Sequence, residues 1–408
     1  MSEINKEFNL ALNAQNSAFL GVFFAKFRFS FQERKQIAEI CADLQAWDES
    51  VEEILLAQNF EQNSAPKMVF AQIKSAYEAL KLRPQSYANF SVDYDSPHYE
   101  IKRFKGKKIA LGRCPVASEG TRCCNLLTLD AVNSCGFDCS YCAIGSFYKS
   151  GVVGFDENFA RNLSALKFDP DEIYHIGTGQ SSDSLMWGDH AGILSALMEF
   201  AKAHSNVILE LKSKSANVGF LLENEIPRNV IVTFSLNPQI IVQNEEHLSA
   251  SLNSRLEAAA KLARKGILVG FHFHPMVHFE GWQSEYGAIF ERLLREFEPK
   301  SVALVSFGTL TFIRPVIKKL RARGLKSKIT QMPFADANGK ISYPYEIKRE
   351  MFKFAYDSLQ KWHGKVFFYL CMEDKRLWSE VFGYEYASNA EFEGAMKEAY
   401  MKKIKEIA

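Results

Sequence analysis

From residue 125 onward, short apolar runs alternate with stretches whose apolar positions recur every three to four residues, a pattern that predicts a repeated strand–helix unit. Strands are predicted at 125–132, 172–176, 207–211, 230–236, 267–273, 302–307 and 366–370, and helices at 188–203, 253–265, 284–296, 312–323 and 346–362. Most of the strand runs are nearly continuous in apolar residues, as parallel strands covered on both faces must be. Right-handed crossovers then give a full or partial barrel or an open sheet. Polar clusters follow the runs, which is where a barrel of this kind carries its reactive loops.

The first hundred residues have a different rhythm. Ser30-Phe-Gln-Glu33 reads as a capping box, and apolar positions continue at helical spacing through Ile37, Ile40, Leu44 and Trp47, then over 51–56 and 69–80. The expected organisation is a helical domain at 1–100, a cysteine-containing connector at 101–124, a barrel at 125–375 and a helical extension at 376–408.

Composition narrows the function classes. With 408 residues and 47% hydrophobic content the chain can bury a large core plus a smaller domain. The 49 basic and 48 acidic residues nearly cancel, so net charge neither calls for nor excludes a nucleic acid. Local basic runs at 102–108 and 314–328 fit either solvated faces or phosphate contacts. No basic segment leads into an apolar run at the N-terminus, and no later window of about eighteen residues is apolar and uncharged. A cytoplasmic location without membrane attachment is expected, and 8 cysteines in a chain of this length do not read as a disulfide framework.

Three of those cysteines carry the chemistry. Cys135, Cys139 and Cys142, with the aromatic Tyr141 before the last, place three soft thiolates at C-x3-C-x2-C spacing, enough to hold three irons of a cubane and leave the fourth open. Zinc competes, since Cys114, Cys123 or Cys124 could complete a four-ligand site. Further along, the Gly177-Thr178-Gly179 turn offers unobstructed backbone amides to an amino-acid-like ligand or a ribose. Ser181 and Asp183 follow it, Lys212 ends the third run, and Ser235 and Asn237 lie two apart on one face of the fourth. His272 and His274 share a face at the end of the fifth, suited to an active-site wall, a metal or a structural role in the core. Cys371 ends the last run, where a thiol could donate a hydrogen atom.

Taken together these stretches resemble the radical S-adenosylmethionine enzymes, and within them the spore photoproduct lyase family. The matching segments are the cysteine loop, Phe234-Ser-Leu-Asn237, Ser254-Arg-Leu-Glu-Ala-Ala259, Ala263-Arg-Lys-Gly266, Gly270-Phe-His-Phe-His-Pro275 and His278-Phe-Glu-Gly-Trp282 with Tyr286. The resemblance implies a partial (β/α)6 barrel of the radical S-adenosylmethionine type. It also implies a [4Fe-4S] cluster that reduces S-adenosylmethionine to a 5'-deoxyadenosyl radical, an electron donor such as flavodoxin or ferredoxin, and a pyrimidine lesion in DNA as substrate. By similarity Ser181, Lys212 and Ser235 are cofactor contacts, and the Gly177–Gly179 turn lies near the methionine end. Two positions depart from the pattern. Gln180 stands where the lyases place the cysteine that returns a hydrogen atom to the product radical, and Ala143 where they carry a tyrosine. Cys371 and Tyr148 are the candidates for that return step. A non-DNA substrate, or a zinc-stabilised nucleic-acid-binding protein, are the competing readings.

Overall fold

A computed structural model of the protein describes residues 2–56, 60, 64–94, 99–107, 109, 111–114, 120–143 and 151–407. Helices α1 (Glu3–Phe8), α2 (Ala14–Lys26), α3 (Phe31–Ala46), α4 (Val51–Leu56) and α5 (Pro66–Leu82) open the chain. Strands β1 (Glu100–Phe104), β2 (Leu111–Arg113), β3 (Leu127–Leu129), β4 (Val132–Asn133), β5 (Asp138–Cys139) and β6 (Val152–Asp156) follow, then α6 (Phe159–Ser164). Strand and helix next alternate through β7 (Tyr174–Thr178), α7 (Ile193–Ala203), β8 (Val207–Ser213), α8 (Gly219–Glu223), β9 (Val230–Ser235), α9 (Gln239–Glu245) and β10 (Glu246–His247). The alternation continues with α10 (Leu252–Arg264), β11 (Leu268–Met276), α11 (Trp282–Glu296) and β12 (Val302–Thr309). The chain ends in β13 (Thr311–Phe312), α12 (Arg314–Arg323), β14 (Ala335–Ala337), β15 (Lys340–Ser342), α13 (Tyr345–Ser358), β16 (Phe367–Leu370), α14 (Lys375–Phe382) and α15 (Asn389–Glu406).

Two compact units form. One contains residues 1–93, 278–280 and 311–344; the other contains 94–277, 281–310 and 345–408. In the first, Ser30 accepts from the Glu33 amide while the Glu33 carboxylate accepts from the Ser30 amide at 2.8 Å, so α3 starts in the expected capping box. Its core joins Ile37, Leu44, Trp47, Val69 and Ile73 to Phe23 of α2 and Phe27 just after it. The basic helix α12 belongs to this unit. Arg321 grips Asp43 with Nε at 2.8 Å and Nη2 at 2.7 Å and reaches Glu39 at 3.2 Å, while Lys326 pairs with Asp48 at 2.8 Å. Those cations are therefore occupied by acids of α3 and the turn after it.

The second unit is built on an open, strongly curled eight-stranded half-barrel in the order β16-β12-β11-β9-β8-β7-β3-β2. From β3 to β16 neighbours pair in parallel and follow chain order; β2 closes one edge antiparallel to β3. This is a partial barrel of the radical S-adenosylmethionine type, with flanking helices and a helical N-terminal region. Parallel strands cannot join by tight turns, so each needs a crossover, and α6, α7, α8, α10, α11 and α13 lie in the six connections from β3 to β16. The predicted first strand is interrupted: it runs over Leu127–Leu129, stops at Asp130 and resumes as β4 in a separate sheet, β1-β6-β4.

The strands are less purely apolar inside than their runs suggest. Glu210 on β8, Thr233 on β9, His272 on β11 and Ser306 on β12 are all buried and form a polar ladder across the sheet. Thr233 donates to Glu210 Oε1 at 2.8 Å, His272 Nε2 meets the same oxygen at 2.6 Å, and His175 Nε2 meets Oε2 at 2.8 Å. Burial together with the Lys212 charge pushes His272 down to about 4, overriding Glu210, so its ring is neutral near pH 7. With Nε2–H given to Glu210, its Nδ1 accepts from Ser306 Oγ at 2.5 Å, and Ser306 in turn accepts from His274 Nε2 at 3.0 Å.

Candidate active site

The loops after β3, β7, β8 and β9 meet above the C-terminal edge of the sheet. Asp130, at the point where β3 stops, accepts from the Ser181 amide at 3.1 Å and from its hydroxyl at 2.6 Å. That pair ties the loop after β7 to the approach to the cysteine loop. Asp183 performs a similar service with four donors: the amides of Leu185 (2.9 Å), Met186 (2.9 Å) and Lys214 (2.6 Å), and the Ser213 hydroxyl (2.8 Å). Its carboxylate thus caps the turn after β7 and fastens it to the end of β8. Gly179, at φ +90°, sits where a Cβ would lie 2.7 Å from the Lys212 carbonyl oxygen, so the turn accepts no side chain.

The cysteine loop is held from its other side. β5 pairs antiparallel with β10, setting Cys139 opposite Glu246 and Asp138 opposite His247. The Ser140 amide donates to the Glu245 carbonyl at 2.8 Å, and its hydroxyl to the Glu245 carboxylate. Tyr141 donates its hydroxyl to Glu246, and Lys214 Nζ lies 5.4 Å from the Tyr141 ring centre. Glu246 also accepts from Asn237 Nδ2 at 2.8 Å and pairs with Arg255 at 2.6 Å, both partners fully buried. Burial pushes this carboxyl up, but the Arg255 and Lys214 charges with the Tyr141 and Asn237 hydrogen bonds outweigh it and hold it at about 2. Gly136 admits the facing loop closely: a Cβ there would come 2.3 Å from Met186 Cε.

The consequence is a single cavity of about 130 Å³ lined by Cys135, Cys139 and Cys142 together with Gly179, Gln180, Ser181, Asp183, Lys212, Lys214 and Ser235. All three cysteines are thiols. Burial, with the Asp183 carboxylate, pushes Cys135 up to about 12; burial also raises Cys139 well above its ordinary range, Cys142 and Cys135 adding to it and Lys214 opposing. Two thiols that resist ionisation alone suit a cationic partner that deprotonates them on binding. The donor set is soft and comes from one loop, which fits an iron–sulfur cluster. Among the described residues no group of three His, Cys, Asp or Glu side chains already converges on a single ion position.

A family model described as spore photoproduct lyase matches residues 128–340. The chain belongs to the spore photoproduct lyase family. That family lies within the radical S-adenosylmethionine superfamily. The chain is similar to the spore photoproduct lyase of Geobacillus sp., 26% identical over 202 residues that make up 48% of this chain and 59% of the relative. It is similar also to that of Clostridium acetobutylicum, 24% identical over 177 residues, or 42% of this chain and 52% of the relative. The matched region therefore spans between half and three-fifths of these curated relatives. Among solved structures, a spore photoproduct lyase complexed with dinucleoside spore photoproduct superposes with TM-score 0.56 at 19% identity, covering 66% of this chain and 82% of that one. A mutant with bound AdoMet and dinucleoside spore photoproduct gives TM-score 0.55 at 18% identity, covering 70% and 88%. At these identities the likeness is one of fold.

Within this spore photoproduct lyase family member the expected site residues separate into groups. Cys135, Cys139, Cys142, Gly179, Ser181, Asp183, Lys212 and Ser235 share the cavity. Thr178 hydrogen-bonds Ser184 Oγ at 2.7 Å just beneath it, while Gly177, inside β7, packs against Leu126. Tyr141 and Asn237 serve the Glu246 hub, Asn237 also accepting from the Tyr286 hydroxyl at 2.7 Å. His272 and His274 belong to the Glu210 ladder. Cys371 lies at the end of β16, its amide donating to the Phe307 carbonyl at 2.8 Å. Tyr148 lies outside the described residues. Sequence reasoning missed Asp130, Glu210 and Glu246 and gave Arg255 no role beyond pairing with other side chains or solvent. Glu210 carried a signal, a lone acid inside the apolar run Val207–Leu211.

Proposed function

We propose that this protein is a radical S-adenosylmethionine enzyme with a lyase-type reaction, acting on a pyrimidine lesion in DNA. The observation that carries the reading is the convergence of the three loop thiols on one cavity whose remaining wall is Gly179, Ser181, Lys212 and Ser235. Cys135, Cys139 and Cys142 would hold a [4Fe-4S] cluster. A cluster bound there would supply the electron for reductive cleavage of S-adenosylmethionine, the chemistry that starts hydrogen abstraction from substrate.

The chain's own residues orient and shield. Gly179 lets the turn close against the Lys212 carbonyl while still lining the cavity, and Lys212 adds a positive charge on the same wall. Asp183 and Asp130 keep that wall in place through hydrogen bonds to neighbouring loops rather than by meeting a ligand. Gly179, Ser181 and Asp183 also line the adjoining cavity beneath, whose wall of Leu129, Val132, Phe159 and Leu197 excludes water from that side. A DNA substrate is supported by the exposed strand β1, whose Lys102 and Arg103 pair only loosely with the exposed Glu100 (3.3 Å) and Glu157 (3.9 Å) and could exchange these for phosphates.

The test incubates anaerobically reconstituted, reduced protein with S-adenosylmethionine and ultraviolet-damaged DNA deuterated at thymine. Deuterium appearing in 5'-deoxyadenosine, with loss of lesion, is expected. S-adenosylmethionine left uncleaved would refute the enzyme class; cleavage without deuterium transfer would refute the DNA substrate.

A further inference from the structure

Five cysteines stand outside the cavity just described, and one of them, Cys41, is buried in α3 apart from the rest. Cys114, Cys123, Cys124 and Cys371 come from three separate stretches of chain, and backbone pairing brings them together. The Cys114 amide donates to the Leu126 carbonyl at 2.9 Å, extending the β2–β3 ladder so that Cys114 lies beside the segment that follows Cys124. Thr121 and Asp374 form an isolated antiparallel bridge, supported by Arg122 N to Glu373 O at 3.3 Å and Lys375 N to Gly120 O at 3.0 Å. Carried inward, that register sets Cys123 and Cys124 alongside Met372 and Cys371. Cys124 hydrogen-bonds Cys123 with Cys371 and Cys114 close by, and Cys371 in turn neighbours Cys114 and Cys123.

The segment carrying Cys123 and Cys124 is anchored more firmly than ordinary buried thiols require. Cys123 N donates to Asn389 Oδ1 at 3.1 Å, Asn125 Nδ2 to Glu393 Oε2 at 2.8 Å, and Arg122 Nε to the Tyr386 carbonyl at 2.6 Å. Residues at the start of α15 and just before it thus hold the backbone at Cys123 and the side chains of Arg122 and Asn125 on either side of the cysteine pair. Four thiols are a complete ligand set for zinc or for an iron–sulfur cluster.

We propose that Cys114, Cys123, Cys124 and Cys371 form a second, four-thiolate metal centre, separate from the three-cysteine loop. Since the four side chains do not yet converge on one point, loading turns them about χ1 on a backbone that is already fixed. A ligating Cys371 has no hydrogen atom to give, so the centre excludes this residue from the hydrogen-return step.

The test removes the loop's own ligands and asks what metal remains. Full-length Cys135→Ala/Cys139→Ala/Cys142→Ala protein is reconstituted anaerobically with iron and sulfide, or separately with zinc, and its metal and acid-labile sulfide are measured. Retention of about four iron and four sulfide per chain, or of about one zinc, supports the proposal and says which centre forms. Adding Cys114→Ala/Cys124→Ala should abolish that metal, and adding Cys41→Ala instead should not. A triple variant that binds no more metal than the quintuple variant overturns the proposal. X-ray absorption at the retained metal gives a reading that does not depend on the quintuple variant folding: a sulfur-only shell is expected, and nitrogen or oxygen ligands would also overturn it. Because the readout is metal content without S-adenosylmethionine, its failure is distinct from failure of the enzymatic reading.

Discussion

Replacing Arg255 by Met should be among the most damaging single changes in the barrel unit, although Arg255 does not line the thiol cavity. Arg255 is fully buried, 2.6 Å from Glu246, and its remaining donors meet the Ala250 carbonyl (2.8 Å), the Ser235 carbonyl (2.8 Å) and the Ser249 hydroxyl (2.6 Å). Removing one partner of a buried pair leaves the other charge uncompensated, at about 3–5 kcal/mol, and the orphaned carbonyls overlap with rather than add to that figure. About 4 kcal/mol is expected, with Arg255→Lys intermediate because it keeps charge but loses the planar fork. Native-state hydrogen exchange of β9 and α10 amides reads this unit without assuming that the two units unfold together. Acidity gives an independent check. Glu246 is held at about 2 against an ordinary 4.5, so its contribution is complete above about pH 4.5 and disappears as pH falls through about 2. That gap corresponds to about 3 kcal/mol. In Arg255→Met the carboxyl rises and this acid limb flattens. A cost under about 1 kcal/mol with an unchanged acid limb would refute the hub argument.

Gly179→Ala forces a side chain into φ +90° with its Cβ 2.7 Å from the Lys212 carbonyl; about 1–3 kcal/mol of local strain should weaken S-adenosylmethionine binding roughly tenfold in calorimetry, and unchanged affinity would contradict the cradle. Glu210→Gln should destabilise β8 and β11 by about 2–4 kcal/mol at neutral pH, since the two histidines lose their shared anion. Burial opposes ionisation of Glu210, but His272 and His175 hold it well below the usual carboxylate range, so the deficit should begin to shrink as pH falls through that range and vanish only below it; a deficit constant down to pH 3 would contradict the ladder. Asp43→Asn breaks the fork with Arg321 and the 2.7 Å bond from Tyr77, and should lower the protection of α3 amides by about 3 kcal/mol while leaving the barrel's exchange unchanged.

The barrel was legible because hydrophobic periodicity reports what each segment must bury. Runs such as Val230–Leu236 and Val302–Phe307 fall on β9 and β12, and the capping box at Ser30 marks the start of α3. The cysteine spacing placed the thiols together, and the strand-end positions Ser181, Lys212 and Ser235 follow from one rule of barrel construction. What escaped was pairing between distant residues. Nothing near Arg255 in sequence says that Glu246 will be buried with it, and nothing in the basic stretch of α12 says that Arg321 will be taken up by Asp43. Two-residue strands such as β5 and β10 are too short to leave a periodic trace. Glu210 shows the opposite failure, an acid in an apolar run read past because the run as a whole looked like core.

The β5–β10 ribbon imposes an order on biogenesis. Ser140 and Glu245, whose contacts clamp the cysteine loop, are 105 residues apart in the chain. At about 5–20 residues per second, synthesis of the clamping segment lags the loop by roughly 5–20 s. Throughout that interval the cysteines are outside the ribosome with no partner strand to shape them, exposed to oxidants and adventitious cations. On the proposed reading, loading of a cluster would belong to the finished barrel, with the nascent thiols kept reduced until residue 247 has emerged.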